Sequence, residues 1–182
     1  MRHYLLLTVL LCTVVTSVRA GSITNQPPRF TKDELQSLYP KKLEGLENQG
    51  GIYQSRDNVL DSGWGYNRCE RSFSDGNKRI LNVEVRDSGG FTKEFIADHE
   101  YLRLPIGEKD INSQTVILIN GNRGQIYKED GRWQNIVLMA TLDRFEIEVK
   151  DDAGLPLERL KAIALEFEAA IKAKLASPTK AK

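Results

Sequence analysis

Any chemistry that needs an imidazole has to run through one side chain. The sequence holds two histidines, His3 and His99, and only His99 lies where the residue pattern is that of a folded domain. Asp98-His99-Glu100 sets three metal-ligating types side by side. Neighbours on a helix point about 100° apart, so the three do not converge on one ion, and no metal site or cofactor is expected. A cysteine nucleophile would require Cys69 to meet His99 in space, and a serine triad would use the same histidine. No Gly-x-Ser-x-Gly elbow, phosphate loop or dinucleotide fingerprint occurs. Asn120-Gly121-Asn122-Arg123-Gly124 reads as a hairpin turn, and Glu84, Asp87, Asp143 and Glu146 read as solvated strand edges rather than as a general acid and base.

The residue types that favour recognition are Trp64-Gly65-Tyr66-Asn67-Arg68, two large aromatics around a glycine just before a strand, together with Arg71. Held on a loop, such rings stack on a ligand or partner; swallowed by the fold, they plug one end of the core. Trp64, Tyr66 and Arg71 are therefore the candidate binding residues. Arg71 shares strand parity with Cys69 and Phe73, so it either points inward to a carboxylate or marks the edge of the buried face.

The elements that must position these side chains follow from periodicity. Thr31-Lys32-Asp33-Glu34 matches a capping box, which predicts a short helix with Leu35, Leu38 and Tyr39 on one face, interrupted at Pro40 and continued through Leu43 and Leu46. Glu47 to Gly51 reads as a turn, and Ile52 to Tyr66 as loop with one short strand at most. Cys69–Phe73 and Ile80–Arg86 flank Ser74-Asp75-Gly76-Asn77 and predict a β-hairpin, with Leu81, Val83 and Val85 facing the core. Phe91, Phe95, His99 and Leu102 recur at helical spacing. Four strands follow, Thr115–Ile119, Gln125–Lys128, Trp133–Thr141 and Arg144–Lys150, joined by short turns as an antiparallel meander. The last of these is expected to be wet on one face and Ile136–Ala140 to be central. Leu157, Leu160, Ile163, Ala164, Phe167, Ile171 and Leu175 form one stripe of a closing helix that starts at Pro156.

The N-terminus reads as an export signal. Arg2 and His3 precede a charge-free run from Tyr4 to Val15, and its apolar stretch Leu5–Val15 is 11 residues, against roughly 20 needed to span a bilayer. Val18-Arg19-Ala20 offers a cleavage point before Gly21; the alternative is an uncleaved anchor, with Arg19 slowing processing. Cys12 lies inside the apolar run, where a lipoprotein cysteine would not. After cleavage 162 residues remain, with 24 basic and 25 acidic side chains. That total gives no basic face for nucleic acid, and the length fits one domain. Cys69 is then the lone thiol and no intrachain disulfide can form; it reads as a small buried apolar residue. The mature chain contains no Asn-x-Ser/Thr sequon.

The sequence therefore divides into a signal peptide (1–20), an extended spacer (21–29), an α+β domain (30–175) and a polar tail (176–182). The domain is a twisted antiparallel sheet, a hairpin plus a four-stranded meander, packed by the C-terminal amphipathic helix and one or two shorter helices. Arg71-Ser72-Phe73, the meander, Asp143-Arg144-Phe145-Glu146-Ile147-Glu148-Val149 and the closing helix follow an order that resembles small exported bacterial domains and the PsbP-like α/β/α layout, over roughly Trp64 to Leu175. The resemblance implies a fold and carries no functional residues. The expected function is that of a non-enzymatic periplasmic or secreted module of the cell envelope that binds a partner protein or a small ligand, with no nucleic acid partner and no membrane span after cleavage. The competing expectation is a hydrolase using carboxylates and His99. The discriminating observation is whether His99 lies in a cleft with an acid and a nucleophile.

Overall fold

Thr31 starts the first helix as its spacing predicts. Its Oγ1 accepts from the Glu34 amide at 3.3 Å while Glu34 Oε2 accepts from the Thr31 amide at 2.8 Å, so two orphan donors are satisfied reciprocally. The helix, α1, is short (Lys32–Gln36). The structure, a computed structural model, describes residues 28–57, 64–77, 79–128, 133, 135–152 and 154–177; the expected signal segment, most of the spacer and the end of the tail lie outside these.

Leu43 and Leu46 do not continue α1. They sit on two strands, β1 (Lys42–Leu43) and β2 (Leu46–Arg56), joined by Glu44 and Gly45 at φ 53° and 77°, a left-handed pair that turns the chain tightly. Sequence reading gave turn and loop where β2 runs for 11 residues. The strand lies near the sheet edge, is mostly half-buried or exposed on both faces and carries a bulge between Asn48 and Gly51, so it has no alternation to betray it.

The remaining strands are β3 (Tyr66–Ser74), β4 (Ile80–Asp87), β5 (Thr115–Ile119), β6 (Asn122–Tyr127), β7 (Asn135–Thr141) and β8 (Phe145–Asp151). Between β4 and β5 lie helix α2 (Lys93–Asp98) and a 3-10 turn (Glu100–Leu102). The chain closes with α3 (Leu157–Ala176). All eight strands form one antiparallel sheet in the order β1-β2-β3-β4-β8-β7-β6-β5. The predicted hairpin and meander are thus arms of a single larger sheet, and they meet where β4 pairs β8, Val83 opposite Val149.

One face of the sheet is apolar. Cys69, Phe73, Leu81, Val83, Val85, Val137, Met139, Ile147 and Val149 join Leu160, Ile163, Ala164, Phe167 and Ile171 of α3 and Leu35 of α1 in the main core. Each large side chain fully removed from water there contributes about 1.5–3 kcal/mol, so α3 is held by burial. Leu175, expected in the same stripe, is 45% exposed. Cys69 is buried and free. Tyr39 reaches through the core edge, its hydroxyl donating to the Cys69 carbonyl and accepting from the Val85 amide at 3.0 Å; burial pushes its pKa well above the usual phenol value.

The opposite face carries the correction with most consequence. β8 was expected to be wet on its polar side, yet Glu146 is 3% exposed and Glu84 on β4 is 8% exposed, while Asp87, at the end of β4 on the apolar-face parity opposite Phe145, is 0% exposed. Charged side chains from three strands cover one another, and the segment Phe91–Leu104 lies over the rest: Tyr101, Val116 and Ala140 make a second small core on this side. Among the described residues no helix is long and apolar enough to cross a membrane.

Candidate functional site

Phe91–Leu104 works as a strap across the polar face. Thr92 caps α2 through its hydroxyl, which accepts from the Phe95 amide at 3.2 Å. The spacing of Phe91, Phe95 and His99 puts their rings in one stack, with centroids 4.4 Å and 3.9 Å apart. The strap is tied down at both ends. At its start the Phe91 amide donates to the Asp143 carbonyl at 2.7 Å; further along, the Tyr101 hydroxyl donates to Glu146 Oε1 at 2.8 Å, and Arg123 Nε donates to the Tyr101 carbonyl at 3.2 Å.

Trp64 and Tyr66 belong to this assembly. Both are 8% exposed, and with Phe95 they form a separate aromatic cluster. Tyr66 is the first residue of β3 rather than part of a loop. Gly65 between them is fixed by close approach: a Cβ there would sit 2.4 Å from the Arg56 carbonyl oxygen, so the glycine lets two backbones touch and does not leave the rings free. The exposed-loop geometry that would suit Trp64 and Tyr66 to recognition is therefore absent. Arg71 lies half-buried on the parity of Cys69, close enough to hydrogen-bond its thiol, and it faces no carboxylate in ion-pair reach among the described residues. It marks the edge of the buried face.

His99 is the C-cap of α2. Its Nδ1 lies 2.7 Å from the Phe95 carbonyl and its Nε2 3.5 Å from Glu146 Oε1. Asp98 and Glu100 diverge from it as expected: Asp98 accepts from Trp64 Nε1 at 2.6 Å and Glu100 from the Ile111 amide at 3.1 Å. Beside His99 is a cavity of about 90 Å³ lined by Glu84, Arg86, Leu138, Glu146 and Glu148, room for roughly three waters. Among the described residues its lining has acids but no serine, threonine or cysteine.

Those acids are committed to cations. Glu84 pairs with Arg68 at 3.0 Å and Arg86 at 2.9 Å, Arg86 also with Glu146 at 2.8 Å, and Glu148 with Lys150 at 2.6 Å. Burial pushes the Glu84 carboxyl above its ordinary pKa, against the pull of Arg86 and Arg68. Burial works against the Arg86 charge as well, but Glu146 and Glu84 outweigh it and raise that pKa. The network ties strap to sheet and leaves little room for a substrate.

A larger opening lies at the end of the sheet. A half-open cavity of about 440 Å³ is bounded by the strap (Phe91, Ile96, Leu102), Gly121 of the β5–β6 turn with the start of β6 (Asn122, Arg123) and the end of β7 with its turn (Ala140, Thr141, Leu142, Asp143). No protein-family model, curated protein or solved structure matches this chain. The PsbP-like layout accordingly rests on the order of elements alone, and function has to be argued from this geometry.

Its floor is braced from the far side of the sheet. Glu168 on α3 accepts from Thr141 Oγ1 at 2.6 Å and Asn122 Nδ2 at 3.1 Å and pairs with Lys172 at 2.9 Å. Burial alone would raise its pKa, but Thr141, Lys172 and Asn122 together hold it below the ordinary value. The rim carries backbone strain. Leu142 and Asp143 form the two-residue turn between β7 and β8 with φ 56° and 49°, the left-handed region that Asn-Gly fills at such turns and a leucine enters at a cost of about 1–2 kcal/mol. Leu142→Asn is expected to raise stability by about 1 kcal/mol, read as a higher urea midpoint; a lower midpoint would mean that the half-exposed leucine is worth more to the fold than its strain.

Of the cavity residues, sequence reading picks out Phe91 and Leu102, as helix-face positions, and the tight Leu142-Asp143 connection. Arg123 passed as a turn residue. The available signal is local: two non-glycine residues in a connection so short that at least one must take a positive φ.

Proposed function

We propose that the chain is exported through the segment ending at Ala20, to the periplasm or beyond, and acts there as a non-enzymatic binding module of the cell envelope that holds a small ligand in the cavity beneath the strap. The carrying observation is the cavity itself. Its volume of about 440 Å³ lies in the range of small-ligand sites, roughly 300–1,000 Å³, and its lining sets Asn122, Arg123, Thr141 and Asp143 beside Phe91, Ile96, Leu102, Ala140 and Leu142. Support comes from the left-handed Leu142 at its rim, since strain that the rest of a fold sustains clusters at ligand sites. The hydrolase reading has the contact between His99 and Glu146 in its favour, but the acids beside it are engaged by arginine and lysine and the space is small.

The test combines location with binding. Protein recovered from the envelope should have the intact mass of a chain beginning at Gly21; retention of the first 20 residues would revive the anchor. Titration with N-phenyl-1-naphthylamine, an uncharged aromatic probe that fluoresces in apolar surroundings, should saturate. Ile96→Glu, which puts a charge into the cavity wall, should abolish the signal with the far-ultraviolet circular dichroism unchanged. A probe that ignores the wild-type protein, or binds Ile96→Glu equally well, overturns the cavity as the ligand site.

A further inference from the structure

Arg123 enters the cavity from β6, beside the strap. Its Nε donates to the Tyr101 carbonyl at 3.2 Å and its Nη2 to the Leu104 carbonyl. Both acceptors are neutral, and no carboxylate lies within ion-pair distance of this guanidinium among the described residues. Arg68 and Arg86, on the same face, are treated differently, with carboxylate oxygens at 3.0 Å and 2.8 Å. A half-buried charge without a counter-ion is an open position, because a low-dielectric wall strengthens its attraction for an anion. Two of its five N–H donors are used by the strap carbonyls, and a guanidinium presents the rest in a fork suited to a planar or tetrahedral acid group.

The geometry points to an amphipathic anion as the ligand: a small molecule with an aromatic or alkyl body against Phe91, Ile96, Leu102 and Leu142 and one carboxylate or sulfonate head on Arg123. This rests on the cavity being the binding site and adds the charge of its occupant. Asp143, on the same rim, is exposed; in contact with water its charge is largely screened, so it opposes the anion weakly and Arg123 prevails. By holding the carbonyls of Tyr101 and Leu104, the same guanidinium also fixes the wall that covers the body of the ligand. Head and body are thereby recognised through one residue.

Two probes that differ only in the head group separate this inference from the one beneath it. 1-Anilinonaphthalene-8-sulfonate is N-phenyl-1-naphthylamine with a sulfonate added, and at low salt it should bind about tenfold more tightly than the uncharged probe, the scale of one charge-assisted hydrogen-bonded contact. Arg123→Gln should bring the two probes to parity, while Arg123→Lys keeps part of the difference. Asp143→Asn, which does not touch the strap side chains, should tighten the sulfonate probe roughly two- to threefold and leave the uncharged one unchanged, and it serves if Arg123→Gln fails to fold. Decanoate should displace either probe better than decanol does. Equal or reversed affinities in the wild type, an advantage that survives Arg123→Gln, or a sulfonate affinity unmoved by Asp143→Asn would each overturn the anionic head while leaving the cavity as a site for neutral ligands. Failure of both probes to bind would instead remove the binding site itself.

Discussion

Arg144→Met should lower folding stability by about 3–5 kcal/mol, the cost of leaving a buried charge without its partner. Arg144 is 6% and Asp87 0% exposed, and they are joined by two parallel hydrogen bonds, Nε to Oδ1 at 2.7 Å and Nη2 to Oδ2 at 2.6 Å. The pair gathers the backbone around it. Asp87 also accepts from the amides of Phe30 at 2.6 Å and Gly89 at 2.8 Å, and Arg144 donates to the Pro28 carbonyl at 2.8 Å. Methionine keeps the volume and removes the charge, so the loss reports electrostatics rather than a cavity. The double variant Arg144→Met/Asp87→Leu should lose less than the sum of the two single losses, because no ion is then stranded. Urea denaturation at neutral pH reads all three. A loss below about 1 kcal/mol for Arg144→Met, the value of an exposed pair, would show that water reaches Asp87.

The same pair fixes where the domain begins and where the strap starts, and neither role is visible along the chain. Arg144 and Asp87 are 57 residues apart; Arg144 lies in the turn before β8, and Asp87 takes the apolar-face parity of Val83 and Val85 at the end of β4. Alternation reports which side of a strand a residue takes, but not what lies over that side. Glu84 and Glu146 read as solvated for that reason, whereas Arg68 and Tyr101, which help to cover them, come from other elements; Asp87 reads as solvated by residue type, against its core-face parity. Where a turn residue forces the geometry the sequence is explicit: Gly76 and Gly121 take φ 81° and 85° at the predicted hairpin turns, and α3 declares itself through an apolar stripe. β2 is silent because a strand near the sheet edge, half-buried or exposed along most of both faces, has no pattern to display. The cavity is silent because its walls come from segments that meet only when β4 pairs β8 and brings the strap beside the β5–β6 turn.

Trp64→Ala should lower stability by about 3–5 kcal/mol, the cost of removing a buried aromatic ring, and it decides between core plug and recognition anchor for this residue. The ring stands edge-on to Phe95 with centroids 4.9 Å apart and to His99 at 5.3 Å, so it closes the aromatic stack of the strap from the side. Its Nε1 donates to Asp98 at 2.6 Å. Trp64→Phe keeps a ring and loses this hydrogen bond, and should cost about 1–3 kcal/mol; the difference between the two variants measures the ring. Tyr66 is supported separately, with the Arg86 guanidinium over its face at 5.2 Å, so Tyr66→Ala should also disturb the charged network. Because the strap is one wall of the cavity, the naphthylamine probe should bind Trp64→Ala more weakly even at temperatures where the variant is fully folded. A Trp64→Ala protein within about 1 kcal/mol of wild type, the scatter of ordinary substitutions, would mean that the ring is not core. The recognition reading would then return, with loss of partner capture as its signature.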